Sequence, residues 1–216
     1  MKPFTVMFVV VADQVGSRTG SDRVPAALGS LGDLAALLPF ERTAGDEIQG
    51  LLEEPAAVVA VLERLTRLGE WRIGIGAGAV DSPIPESTRA ARGPAYLAAR
   101  AAITAARTSP VDMALTLPPN VRGEAYRDVI EAGEDAETAL WLLRSVLARR
   151  SQEGWELMDL LDQGLTSARA ADRLGISPSA ASQRLARAAR PEAIRAARLA
   201  TRLLVRLQAG LAGVDE

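Results

Sequence analysis

The chain has 216 residues, 48% of them apolar and 24% charged, with a formal net charge of −2 and neither Cys nor His. That apolar share can fill one large core or two small ones. The missing Cys and His exclude disulfides, thiol nucleophiles, Ser-His catalysis and the usual zinc cages, so any metal must be held by oxygen, as Mg²⁺ or Mn²⁺ would be.

Charge divides the chain. Residues 1–141 carry 13 Lys and Arg against 19 Asp and Glu, and residues 142–216 carry 12 against 8, so an acidic part precedes a basic one. The most apolar runs, Phe4 to Ala12 and Leu203 to Leu207, fall short of the ~20 residues that cross a bilayer. Lys2 is followed by too short an apolar run for a secretory signal. The expectation is a cytoplasmic protein without a membrane partner.

Phe4 to Val11 is β-branched and aromatic throughout, which predicts a central strand buried on both faces and ending near Asp13. A helix is expected over residues 22–38, with Leu28, Leu31, Leu34, Leu37 and Leu38 on one side and Pro39 ending it. Phe40 to Ala44 and Ile48 to Leu52 flank Gly45-Asp46-Glu47 and predict a hairpin with an acidic turn. Pro55 and Gly69 bracket the next helix. Trp71 to Val80 alternates, with Trp71, Ile73, Ile75, Ala77 and Ala79 on one face and Arg72, Gly74, Gly76 and Gly78 on the other. Three glycines on one strand face mean that a helix, a second subunit or a ligand comes close, and close helix packing is favoured. A helix over 94–107 and a strand over 111–117 follow. This order predicts an α+β unit with helices over one mainly antiparallel sheet. A connecting helix (124–150), further helices over 151–190 and a last helix (191–211) complete the chain. That last helix carries Ile194, Ala197, Thr201, Leu204, Leu207 and Leu211 as a stripe for the 124–150 helix or for a dimer seam.

Leu165 to Leu185 has the grammar of a helix-turn-helix. Ala171 is small where two helices cross, Gly175 makes the turn, Ser177 caps and Pro178 opens the second helix. Ser179, Ser182 and Gln183 are the expected base-edge contacts, and Arg184 stands between base and phosphate. Arg169, Arg173, Arg187 and Arg190 are expected on phosphates. A helical hairpin used for protein contacts is the competing use.

Four stretches in order, Ala12-Asp13-Gln14-Val15-Gly16-Ser17, Arg42-Thr43-Ala44-Gly45-Asp46, Arg72 to Gly78 and Gly93-Pro94-Ala95-Tyr96-Leu97-Ala98-Ala99-Arg100, resemble the signatures of class III nucleotidyl cyclases. The acidic turn is also similar to that of GGDEF-type diguanylate cyclases. With Gly45 to Leu52, Gly93 to Tyr96 and the appended helix-turn-helix, the whole chain most resembles the SatD family of bacterial proteins. The resemblance implies a cyclase-like (ferredoxin-like or palm) α+β domain over 1–120, a connecting helix over 121–150 and an all-α helix-turn-helix domain over 151–216. It implies Asp13 and Asp46 as carboxylates for Mg²⁺ or Mn²⁺, with Glu47 auxiliary. Arg42, Gly45 and Tyr96 would meet a nucleotide, and Arg100 would stabilise charge on a transferring phosphate. Asp13 as a helix cap, and the acid pair as ordinary turn chemistry, are the bland alternatives. The sequence departs from the cyclase pattern at Tyr96, where a transition-state asparagine is expected, and at Ala90, where a base-reading residue is. The implied function is a dimeric regulator of double-stranded DNA with a degenerate, nucleotide-sensing or dimerising cyclase-like domain. An active cyclase is the competing reading.

Overall fold

The computed structural model describes residues 6–16 and 20–214. Phe4, Thr5 and Ser17, which the expected first strand and its following turn include, lie outside them. The fold is α+β: a five-stranded mixed sheet with α-helices on both faces and a helical extension.

The strands are β1 (Met7–Gln14), β2 (Leu38–Ala44), β3 (Glu47–Leu52), β4 (Trp71–Gly78) and β5 (Met113–Thr116), in the spatial order β2-β3-β1-β4-β5. β1 is central and buried along its whole length, as its unbroken apolar run predicts. Its pairings with β3 and β4 are antiparallel, as is β2 with β3, whereas β4 and β5 are parallel. That parallel pair requires a crossover, which helix α3 (Pro94–Ala105) supplies.

Helix α1 (Val24–Leu31) is much shorter than the expected 22–38 span. Leu38 pairs with Leu51, and Pro39 lies inside β2. Proline ends no helix here; it sits on an edge strand, where a missing N–H breaks no interior ladder. Helix α2 (Pro55–Leu68) matches its predicted bounds, with Pro55 in the first turn and the Gly69 N–H, at φ +68°, returning to Leu65 O.

One sheet face, with Phe8, Val10, Ile48, Trp71, Ile73 and Ile75, is covered by α1, α2, α4 (Arg127–Ala148, after a single 3₁₀ turn at Glu124–Tyr126) and α8 (Arg190–Val214). Leu204, Leu207 and Leu211 of α8 are buried in this same cluster with Leu140 and Leu143 of α4. The stripe weighed as a dimer seam is thus largely covered within the chain. The Gln208 amide fixes α8 further by donating to Val6 O (2.7 Å) and Glu53 O (2.9 Å). At the far end of the layer the buried Arg144 donates to the carbonyls of Trp71 and Asp112 and joins β4 to β5. Desolvation lowers its pKa to about 10, so it stays charged at neutral pH.

The other face carries the β4 glycines. A Cβ on Gly74 would stand inside the backbone of Ile103, and one on Gly76 inside the backbone of Ala95 and Ala99. What comes close is therefore α3, lying backbone-on-backbone against β4.

Three shorter helices form the extension: α5 (Gln152–Asp162), α6 (Ser167–Leu174) and α7 (Pro178–Arg187). Leu157, Met158, Ala170 and Ala188 make its small core, with Leu174 and Leu185 packed at the edge. Arg67 of α2 anchors it through two 2.6 Å bonds to Asp159, and Arg67 and Arg150 both lie over the Trp155 ring. Among the described residues no helix is long and apolar enough to cross a membrane.

Candidate functional site

Alternation along the strands decides which side chains share the α3 face. Asp13 of β1 pairs in register with Glu47 of β3 and Arg72 of β4, which sets the three side by side at one end of the sheet. Asp13 is 8% exposed. Arg72 Nη1 donates to its Oδ1 at 3.0 Å, and Arg107 Nη2, from just beyond α3, to its Oδ2 at 3.4 Å. Asp13 caps no helix; Asp22 Oδ1 instead accepts the Val24 N–H at the start of α1.

Asp46 sits in the hairpin turn after Gly45, whose φ of +52° is the left-handed conformation glycine tolerates. Its charge lies near enough to add a small upward push to the Asp13 pKa. Glu47 accepts a bond from the Thr43 hydroxyl. Arg42 is turned to its own hairpin and to α1, donating to Gly45 O (2.9 Å) and pairing with Asp22 (2.5 Å). Among the described residues no group of three or more acids gathers as a metal cage. As arranged, a cation at Asp13 would compete with the guanidinium groups of Arg72 and Arg107.

Beside this clasp a cleft of about 770 Å³ opens between the β1–β3 end of the sheet, α3 and the segment 81–93. Glu47, Tyr96 and Arg100 line it, whereas Asp13, Asp46, Arg42 and Gly45 do not. Tyr96 and Arg100 stand one helical turn apart on α3, and Arg107 continues along that side of the chain to Asp13. The cleft wall is fixed by buried Thr88. Its hydroxyl lies 3.2 Å from the Tyr96 hydroxyl, and the Gln49 amide donates to both its side-chain and backbone oxygens. Burial raises the Tyr96 phenol pKa, which keeps it a neutral hydrogen-bonding group. Arg89 and Arg92 add two further exposed guanidinium groups. Sequence reasoning missed Thr88, Arg89 and Arg92 because they carry no motif, and gave Gln49 no role although it lies within the Gly45 to Leu52 stretch. Arg72 gave a signal, since it was the one charged residue on the glycine face of β4.

Burial outweighs the pull of Arg72 and Arg107 and raises the Asp13 pKa above the ordinary aspartate value. The folded chain therefore holds this proton more tightly than the unfolded chain. The stabilisation is complete below the unfolded pKa and is lost as pH rises through the folded one. An asparagine in its place cannot titrate, so the melting temperature of Asp13→Asn minus that of the wild type is expected to grow from pH 4 to pH 7, read by calorimetry. A difference that shrinks over that range refutes the raised pKa.

In the helical extension, α6 and α7 are joined by Gly175-Ile176-Ser177. Gly175 is left-handed (φ 64°, ψ 32°), and the Ser177 Oγ accepts the Ala180 N–H at 3.1 Å. Ala171 and Ala181 are buried where the helices meet. Ser177, Ser179, Ser182, Gln183 and Arg187 are exposed, as are Arg169 and Arg173 on α6. Arg184 is half-buried and turned away from that row, toward the first turn of α5.

No family model matches the chain, and no curated protein matches it.

Proposed function

We propose that this chain is a cytoplasmic DNA-binding transcriptional regulator. In this reading α5–α7 form a helix-turn-helix, and the α+β layer is a degenerate nucleotidyl cyclase-like domain of the SatD kind. The observation that carries it is the α6–α7 turn. A left-handed Gly175 and a Ser177 cap start α7 abruptly, and its exposed face offers Ser179, Ser182 and Gln183 with no acid among them. Such a helix is suited to base edges in the major groove, while Arg169, Arg173 and Arg187 meet phosphates. The cleft, with Arg89, Arg92 and Arg100 outnumbering Glu47 and Asp81, suits a phosphate-bearing ligand of the nucleotide class. A homodimer places two α7 helices on one duplex and lets the ligand act through their spacing.

The test is fluorescence anisotropy with a labelled duplex from the region upstream of its own gene, over a salt series. Affinity is expected to fall linearly on logarithmic axes as salt rises, and an unlabelled scrambled duplex is expected to compete poorly. Equal competition by both duplexes, or no binding at all, overturns the reading.

An active cyclase is the second reading, favoured by one observation: the Gln14 N–H donates to Asp46 O at 3.3 Å, so the hairpin turn that carries Asp46 lies against the end of β1 that carries Asp13. Asp13 and Asp46, with Glu47, would hold Mg²⁺ or Mn²⁺, and the metal would neutralise triphosphate charge. Arg100 would then face the transferring phosphate. Tyr96, with its hydroxyl directed to Thr88, offers no amide for the same step. Incubation with each triphosphate and Mn²⁺, followed by chromatography for a cyclic product, decides between the two.

A further inference from the structure

A second cavity, a notch of about 340 Å³, lies where the end of α4, the start of α5 and the end of α7 meet. Arg149 comes from the end of α4, and Arg184 and Arg187 come from α7. Gly154 and Ala188 form the floor, and the lack of long side chains there leaves the space open.

Arg23, Arg42, Arg64, Arg67, Arg72, Arg107, Arg127 and Arg190 each have an acid within ion-pair distance. Among the described residues Arg149, Arg184 and Arg187 have none. Other arginines also lack an acid partner, and what sets these three apart is that they converge on one cavity. The acid lining the notch is Glu153, whose pKa is lowered chiefly by the Ser151 hydroxyl and less by Arg184. Three guanidinium groups around one carboxylate leave a local excess of positive charge. Gathering like charges is unfavourable until an anion joins them.

The notch is also held in shape. Arg150, next to Arg149, turns inward, donates twice to Ala188 O (3.1 and 2.9 Å) and stacks over Trp155 at 4.2 Å. The end of α7 is thereby fixed to α4 and α5, and the backbone that carries Arg149 is held in place before any ligand arrives.

Position along α7 supplies the identity of the anion. Ser179, Ser182 and Gln183, and Arg187 one turn later, lie along one exposed row. From Ser179 to Arg187 the helix rises about 12 Å, which is about the width of the major groove. With the first turns of α7 over base edges, its last turn arrives at the groove rim, where the phosphates are.

We propose that this notch clamps one backbone phosphate of duplex DNA, with Arg149 as a contact supplied from outside the helix-turn-helix and Arg184 as a phosphate ligand rather than a base reader. The inference rests on the proposed DNA-binding function and adds α4 to the interface. Because α4 is packed on the sheet and on α8, the clamp ties the duplex to the α+β layer as well as to α7.

The experiment measures the anisotropy of the same labelled duplex across a salt series, for full-length wild type and single variants. Arg149→Gln is expected to reduce the slope of log affinity against log salt by roughly one. Arg149→Lys, which keeps the charge, is expected to restore that slope, and Glu153→Gln is expected to tighten binding. Arg198→Gln, on the exposed side of α8, serves as the control and is expected to keep the wild-type slope. Arg149 is exposed, so its loss leaves the melting temperature unchanged. A wild-type slope in Arg149→Gln overturns the clamp and leaves DNA binding standing. Absence of duplex binding by the wild type overturns both.

Discussion

Gly76→Ala is expected to destabilise the protein by about 3 kcal/mol, at the upper end of overpacking penalties. The sign of the effect is the informative part. In an ordinary strand interior, replacing glycine by alanine gains roughly 0.5–1 kcal/mol, because the unfolded chain loses freedom. Here the added methyl meets the Ala99 amide nitrogen and the Ala95 carbonyl oxygen, which are helix backbone and cannot rotate aside. The only relief is movement of α3 away from β4. Gly74→Ala should behave likewise, since it meets the Ile103 backbone. Gly78→Ala should cost less, because its nearest neighbour is the Pro118 side chain at 2.8 Å and the Ala95 nitrogen is farther, at 3.2 Å. Urea unfolding at pH 7 provides the ranking through the midpoints. A gain of stability in Gly76→Ala means that α3 does not lie where the structure places it. Total stabilities of small domains are about 5–15 kcal/mol, so the expected loss is a large fraction of the whole.

The same packing governs the cleft. Tyr96, Arg100 and Ile103 line it from α3, and Arg107 reaches Asp13 from just past the helix end. The glycines of β4 thus set the height of one wall above the sheet. Nothing on the opposite face has this role, since Trp71, Ile73 and Ile75 there are large and fill the core.

Sequence patterns reported these local features and failed at pairings between distant residues. The unbroken run ending at Asp13 identified the central strand because burial on both faces removes alternation. Pro55 and Gly69 marked the bounds of α2 because both act through backbone geometry. The three glycines announced a close approach and favoured a helix as its cause. By contrast, Leu34, Leu37 and Leu38 extended the apparent helical stripe of α1 falsely. Leu38 belongs to the edge strand, and Leu37 bonds by its N–H to Leu51 O, so strand pairing overrode a short periodic signal. The Asp13 clasp was out of reach of spacing arguments. Its partners stand 59 and 94 residues away and converge only when β4 lies beside β1 and α3 crosses above. The turn of Arg184 toward α5 was out of reach for a related reason: it depends on how three helices pack, which the Leu165 to Leu185 grammar does not contain.

Ser182→Glu should reduce affinity for the duplex about a hundredfold. A carboxylate brought against a phosphate-lined groove is a like-charge contact costing several kcal/mol, and each 1.4 kcal/mol is a factor of about ten. Ser182 is exposed at mid-helix in α7, so the melting temperature should not move. Gln183→Ala should have a smaller effect, about tenfold, with relaxed preference between cognate and scrambled duplexes, because a bidentate amide discriminates adenine by about 1–3 kcal/mol. Ser177→Ala separates the two kinds of cause. It removes the bond to the Ala180 N–H that starts α7, so stability should fall by about 1 kcal/mol while binding weakens alongside. A base-reading face therefore predicts three distinct signatures on one helix: affinity lost without stability at Ser182, specificity lost at Gln183, and both stability and affinity lost at Ser177. A helical hairpin serving protein contacts predicts no dependence of duplex affinity on Ser182 or Gln183, and wild-type affinity in Ser182→Glu would assign α7 to that role.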